Sequence, residues 1–96
     1  MREITEEKIK KYLDTTSRAI GKIKVSVPEN SHLKKIAEDF LSMALNYYKD
    51  AEYFYNNGDY VNAFAAVNYA HGWLDAGARL GLFNVENDYK LFTLYY

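Results

Sequence analysis

Phe54-Tyr55-Asn56-Asn57-Gly58-Asp59-Tyr60-Val61-Asn62-Ala63 ends one helix and begins the next with almost no chain between them. Gly58 takes the left-handed conformation that closes a helix more readily than any other residue type. Asp59 follows at once and suits the cap of a new helix, its carboxylate accepting from a first-turn N–H that has no partner within the helix. A turn this short makes the two helices antiparallel neighbours. Read backwards from it, Leu33, Ile36, Ala37, Phe40, Ala44, Tyr47, Tyr48, Ala51, Phe54 and Tyr55 recur at helical spacing along one face. The spacing predicts a long second helix from His32 to about Asn57, capped by Ser31 or, as the lesser alternative, Asn30. Read forwards, it predicts a third helix from about Tyr60 to Leu80, stopped by Gly81. Its core face holds Tyr60, Ala63, Phe64, Val67, Ala70, Leu74, Gly77 and Ala78.

Upstream, Thr5 is placed to cap a first helix from Glu6 to about Ile23, and Glu6 and Glu7 suit the positive end of its dipole. Ile9, Tyr12, Leu13, Thr16, Ala19, Ile20 and Ile23 form its apolar face, while Lys10, Lys11, Asp14, Arg18 and Lys22 point away. Lys24-Val25-Ser26-Val27-Pro28 breaks the pattern, and Pro28 biases Val27 toward extended geometry. After Gly81, Leu82-Phe83-Asn84-Val85 reads as extended and Glu86-Asn87-Asp88 as a turn. Tyr89-Lys90-Leu91-Phe92-Thr93-Leu94-Tyr95-Tyr96 is again rich in aromatic and β-branched residues. The tail, 82–96, is therefore expected to form an extended strap or a small hairpin. It must pack on the bundle, because an isolated hairpin is marginal in water.

The third helix is the unusual element. Opposite its core face it carries Ala65, Ala66, Tyr69, Gly72, Trp73, Ala76 and Leu80, and between Tyr60 and Leu80 only Asp75 and Arg79 are charged. A helix apolar nearly all round needs cover on more than one side. In a three-helix bundle that cover must come from the tail or from another molecule.

Composition agrees with a small helical globule. Hydrophobic residues make up 49% of the chain and charged residues 26%, a folded rather than a disordered profile. The bulk of a short core is supplied by ten Tyr, five Phe and one Trp, and Tyr buries its ring while its hydroxyl stays wet. With no cysteine, disulfides, thiolate catalysis and Cys-ligated metal are excluded. No apolar run reaches the length of a membrane span, and the charged start, Met1 to Lys8, has no apolar signal core behind it. The expectation is a cytoplasmic protein of one domain, 1–96, with no membrane association. The near-neutral total hides an asymmetry, with a surplus of four positive charges over 1–35 and of five negative over 36–96.

Two resemblances follow from these residues. Ala51, Gly58, Asp59, Tyr60, Ala63 and Ala70 resemble the middle of a tetratricopeptide repeat, where small residues let two helices approach closely. One copy occurs where a solenoid needs about three, so this resemblance implies a tight hairpin and not a repeat array. Tyr48-Lys49-Asp50-Ala51-Glu52-Tyr53-Phe54, Gly58-Asp59-Tyr60 and Tyr69-Ala70-His71-Gly72-Trp73-Leu74-Asp75-Ala76-Gly77-Ala78-Arg79-Leu80-Gly81 resemble the archaeal family catalogued as domain of unknown function 357. That resemblance spans all three helices. It implies an all-α, three-helix up-and-down bundle in an archaeal cytoplasmic protein and implies no activity.

Asn68, His71, Asp75 and Arg79 form the best polar constellation. His71, Asp75 and Arg79 stand four apart along one row of the third helix, and Asp75 precedes Arg79 in the favourable order for a helical ion pair. A carboxylate beside an imidazole fixes its tautomer, as a general base or ligand-binding His requires. The preferred reading is structural, with His71 bonded to Asp75 and to a Tyr hydroxyl from the second helix, since no nucleophile or second acid shares the row. Glu29-Asn30-Ser31-His32 has a Glu-x-x-His spacing, but carboxylate-bridged metal sites need two such motifs and further glutamates, so no metal is expected. Lys8, Lys11, Arg18, Lys22, Lys24, Lys34 and Lys35 offer a basic face for nucleic acid, diluted by Glu6, Glu7 and Asp14. There is no phosphate loop and no triad in recognisable context, so no cofactor and no catalytic residue is assigned. The favoured function is a protein-interaction or structural module presenting Tyr69, Trp73 and Leu80 to the tail, to a second copy or to a partner protein. Aromatic anchors of this kind dominate interfaces. A nucleic-acid-associated module is the alternative, and a small-ligand site around His71 comes third.

Overall fold

The computed structural model describes residues 4–86, 88, 91 and 92. In chain order it contains α1 (Glu6–Lys22), β1 (Lys24–Val25), α2 (His32–Asn56), α3 (Tyr60–Arg79) and β2 (Phe83–Asn84). Each helix begins where a side chain accepts from its first turn. Thr5 takes Lys8 N–H, Ser31 takes Lys34 N–H and Asp59 takes Asn62 N–H. Two of the helices end in the same way. Gly58 and Gly81 adopt φ of 75° and 78°, a region that an L side chain resists. Around each, the two bonds of a Schellman motif close the helix: Asp59 N–H to Phe54 O and Gly58 N–H to Tyr55 O, then Leu82 N–H to Gly77 O and Gly81 N–H to Ala78 O. Asp59 thus closes α2 with its backbone and opens α3 with its side chain.

The helices form the expected up-and-down bundle. Contact is most extensive between α2 and α3, and α1 leans more on α3 than on α2. Ala37, Ala44 and Ala51 of α2 are fully buried, as are Ala63 and Ala70 of α3. Side chains this small let two helix backbones approach to the near end of the usual separation of about 8–10 Å. Bulk is added at the flanks. Tyr12 meets Phe64 edge-on at 5.0 Å, Phe40 meets Trp73 edge-on at 4.9 Å, and Tyr47 stacks on Tyr69 at 5.3 Å. The α1 face lies inward as its spacing predicts, with Ile9, Thr16 and Ala19 buried. On α2 the predicted stripe is buried or half-buried apart from Leu33, which stays 48% exposed in the first turn.

The tail takes the form of a strap. Leu82, Phe83, Val85, Leu91 and Phe92 are all buried, in one cluster with Ala19, Ala37, Ala44 and Leu74. The strand partner of β2 is β1: the two run antiparallel with Lys24 opposite Asn84 and Val25 opposite Phe83. Ser26 N–H extends the ladder to Leu82 O at 2.9 Å. The stretch that interrupts the first helical pattern is therefore the strand on which the tail registers. Apart from Leu91 and Phe92, the second arm of the expected hairpin, 89–96, lies outside the described residues.

Phe83 settles against Gly77, where an added Cβ would overlap the ring, whereas one at Gly72 meets no atom within 4 Å. Gly77→Ala is expected to lower stability by about 1–3 kcal/mol by expelling a packed ring. Gly72→Ala is expected to raise it by about 0.5–1 kcal/mol, because alanine is the better helix former. Urea unfolding midpoints, read at constant m-value, measure both changes; shifts of the same sign would remove Gly77 as the seat of the tail.

Candidate functional site

His71 stands on the side of α3 that meets α1. Its Nε2 lies 2.6 Å from the carbonyl oxygen of Leu91 and its Nδ1 lies 3.1 Å from Thr16 Oγ1. A carbonyl only accepts, so Nε2 carries the proton and donates to Leu91. In the neutral ring Nδ1 is then an acceptor and takes the Thr16 hydroxyl proton. Thr16 is only 2% exposed, so this bond satisfies a hydroxyl that no longer reaches water. Asp75 Oδ1 lies 3.7 Å from Nε2, beyond hydrogen-bonding distance. The Phe92 ring stands beside the imidazole, tilted by 31° with centroids 6.3 Å apart. His71 thereby joins α1, α3 and the tail in one clamp.

This differs from the sequence expectation in two respects. Asp75 stands too far from His71 for the expected hydrogen bond. The hydroxyl on His71 comes from Thr16 of α1 and not from a tyrosine of α2. The reason is position around α3: Trp73 and Tyr69 meet rings of α2, and His71, two residues from each and so about 160° round the helix, meets α1. Thr16 was legible as part of an apolar stripe, but nothing local distinguishes a β-branched spacer from a hydrogen-bond donor. The Leu91 carbonyl, a backbone group, leaves no trace in residue type.

A cleft of about 260 Å³ opens beside the clamp, lined by Tyr12, Thr15, Thr16, Asn68, His71, Gly72 and Asp75. Its volume falls below the range of about 300–1,000 Å³ typical of small-molecule sites. Its chemistry is largely committed, since Thr15 donates to Lys11 O at 2.9 Å and both nitrogens of His71 are engaged. Asn68 is exposed at its rim and Asp75 half-buried in its wall, while Arg79 stands exposed a turn beyond. The structure thus brings His71, Asp75 and Asn68 to one cleft, with Arg79 outside its lining.

The other sequence candidates separate clearly. Trp73 is half-buried, edge-on to Phe40, whereas Tyr69 and Leu80 are each 63% exposed. Asn68, Tyr69, Gly72, Trp73 and Ala76 line a shallow groove of about 360 Å³ on the outer side of α3. Near the start of α2, Glu29 accepts from Lys34 Nζ at 2.9 Å. That bond to the carboxylate holds the Lys34 ammonium above its ordinary pKa. His32 is exposed beside them, and among the described residues no group of three or more His, Cys, Asp and Glu gathers to hold a metal ion. On the basic face of α1, Arg18 approaches Asp14 at 3.9 Å and Lys22 reaches Asp88 at 3.4 Å, and beside that face Lys10 approaches Glu6 at 3.8 Å. Exposed pairs of this kind are worth about 0–1 kcal/mol, but they break a basic face into mixed charge. No helix among the described residues is long and apolar enough to cross a membrane.

A family model described as "Protein of unknown function (DUF357)" matches residues 11–83. The chain belongs to this family. The matched span includes Thr16, His71 and the outer groove of α3, and it stops at Phe83, before Leu91. No curated protein and no solved structure matches the chain.

The clamp makes a direct prediction. Thr16→Val keeps the shape and removes the donor, leaving Nδ1 without its partner at a cost of about 1–2 kcal/mol. His71→Gln is expected to cost a similar amount, and the double variant to be less damaging than the sum by about 1 kcal/mol. A urea-unfolding cycle measures the coupling, and strict additivity would show that the two side chains do not act together. Long-range proton–nitrogen correlation on the histidine ring is expected to report the Nε2–H tautomer.

Proposed function

We propose that this chain is a protein-interaction module that docks through the outer side of α3. What supports the reading is one surface feature: of the exposed residues of α3, Arg79 alone is charged, while Tyr69 and, at the C-cap, Leu80 are each 63% open to water. Single exposed apolar side chains need no explanation, but here they share one face with Ala65, Gly72, Ala76 and the outer edge of Trp73. The exposed surface of α1, by contrast, is mostly Lys, Glu, Asp and Arg. Docking on α3 would desolvate one charged group, where docking on α1 would desolvate many. Trp73 serves as an anchor held from behind by Phe40, and Tyr69 as one held by Tyr47, so neither ring must be ordered on binding. The setting proposed with this reading is an archaeal cytoplasm, on the strength of the family resemblance.

The test is recovery of complexes from the chain's own host by gentle affinity purification, with wild type beside Tyr69→Ser/Leu80→Ser. Both positions are 63% exposed, and loss of the Tyr47–Tyr69 stack is expected to cost about 0.5–1.5 kcal/mol, which a urea-unfolding curve of the variant checks before recoveries are compared. A stoichiometric protein is expected with wild type and at least a tenfold loss of it with the variant. Equal recovery by both would refute docking through α3. Recovery of nucleic acid that falls away with rising salt would move the site to α1.

A further inference from the structure

We infer that the occupant of the α3 face is a second copy of this chain, laid antiparallel across it about a twofold axis between Gly72 and Trp73; this rests on the interaction reading above. The argument is the order of side-chain sizes. In an antiparallel pair of identical helices, residues whose numbers add to a constant face one another. About a point between 72 and 73, Ala65 faces Leu80 of the other copy, Tyr69 faces Ala76, and Gly72 faces Trp73. Each large side chain on the stripe meets a small one, in both directions, with no residue left over. A parallel pairing would set Tyr69 on Tyr69 and Trp73 on Trp73.

Position and charge agree with the size pattern. Ala65, Tyr69, Gly72 and Leu80 are exposed, Ala76 and Trp73 half-buried, and all six recur within three or four residues of a neighbour on one helix side. Trp73 borders Gly72 in the outer groove that Asn68, Tyr69 and Ala76 complete. Gly72 has no atom within 4 Å of where a Cβ would stand, so its place on the axis is open to an incoming ring. Arg79, the one exposed charge of α3, lies about 20 Å along the axis from its symmetry mate, so pairing does not set it against itself. The contact runs about 22 Å along α3, from Ala65 to Leu80, and is one helix wide. Such an area lies below the standard protein interface of about 1,200–2,000 Å², so the pairing is transient and of micromolar or weaker affinity.

Cysteine cross-linking tests this cleanly, because the chain has no cysteine of its own. Gly72→Cys places a thiol beside the twofold axis. Val61→Cys places one on the same helix, 68% exposed, but about 34 Å from its mate in the proposed pairing. Under mild oxidation, Gly72→Cys is expected to form disulfide-linked dimer at least tenfold faster than Val61→Cys. Sedimentation equilibrium from about 1 μM to about 1 mM, a range that brackets micromolar affinity, is expected to show wild type passing from monomer toward dimer and Tyr69→Glu remaining monomeric. Equal cross-linking rates, a wild type that stays monomeric throughout, or a Tyr69→Glu dimer would each overturn the second-copy assignment. A monomeric wild type whose host protein is still lost on Tyr69→Ser/Leu80→Ser would overturn this inference and leave the interaction reading standing. Loss of neither the host protein nor the monomer state would sink both.

Discussion

The close approach of α2 and α3 is the constraint from which the remaining structure follows. Alanine at positions 37, 44 and 51 repeats every seven residues, so one narrow seam of α2 presents no side chain longer than a methyl group to its neighbour. The partner seam on α3, Ala63, Ala70 and Ala66, the last buried where its spacing had placed it on the outer side, is equally shallow. Two helices packed this tightly need a turn that wastes no length, and Asn57-Gly58-Asp59 supplies it by ending one helix and capping the next with shared residues. The seam has a cost. At roughly 25 cal/mol per Å² of apolar surface, a row of methyl groups contributes far less than a row of leucines.

The aromatic residues compensate for that shallow seam. Tyr12, Phe40, Tyr47, Phe64, Tyr69 and Trp73 pair across the helix junctions, where rings are wide enough to bridge backbones from outside the seam. The tail compensates at the far end. Gly77 continues the small-residue line of α3 to its last turn, and the space it leaves is filled by Phe83 coming back from the Schellman turn at Gly81. Leu82, Val85, Leu91 and Phe92 then close the cluster around Leu74. His71 fits this scheme as the polar fastening of the strap, one nitrogen to α1 and the other to the tail backbone. Its hydrogen bonds matter because they lie where Thr16 and Leu91 have left water.

Helix content was written plainly in the residues, because the signals are local. Thr5, Ser31 and Asp59 cap as their chemistry suggests, and Gly58 and Gly81 stop helices as theirs does, so each helix ends within a residue of its expected limit. The pairing of Lys24–Val25 with Phe83–Asn84 was not legible. Strands of two residues have no periodicity, and the partners stand almost sixty residues apart. The candidate cleft was legible by halves. Asn68, His71 and Asp75 share a helix and could be placed on one row, but which helix packs on that row depends on the bundle's arrangement. Trp73 shows the same limit from the other side. A row count puts it opposite the core face, yet Phe40 reaches round to meet it, and it packs partly buried against the core.

A physical asymmetry between the two sides of α3 directs attention to its surface. On the α1 side, polar groups have been gathered and then bonded to one another; among the described residues no buried side-chain nitrogen or oxygen lacks a partner. A clamp so fully satisfied holds its parts together and has little capacity left for a bound molecule, in a cleft already small for one. On the outer side, the chain keeps Tyr69 and Leu80 each 63% exposed, where Lys or Glu would serve solubility better. Tyr69 even has its ring set in place by Tyr47 before any partner arrives. Rigid apolar side chains alternating with alanine and glycine make a surface of knobs and gaps, and such a surface recognises shape. The composition that first marked α3 as unusual is thus explained in two parts. The seam and the tail account for its inner alanines and for Gly77, and the proposed docking is what would account for the outer row of Ala65, Tyr69, Gly72, Ala76 and Leu80.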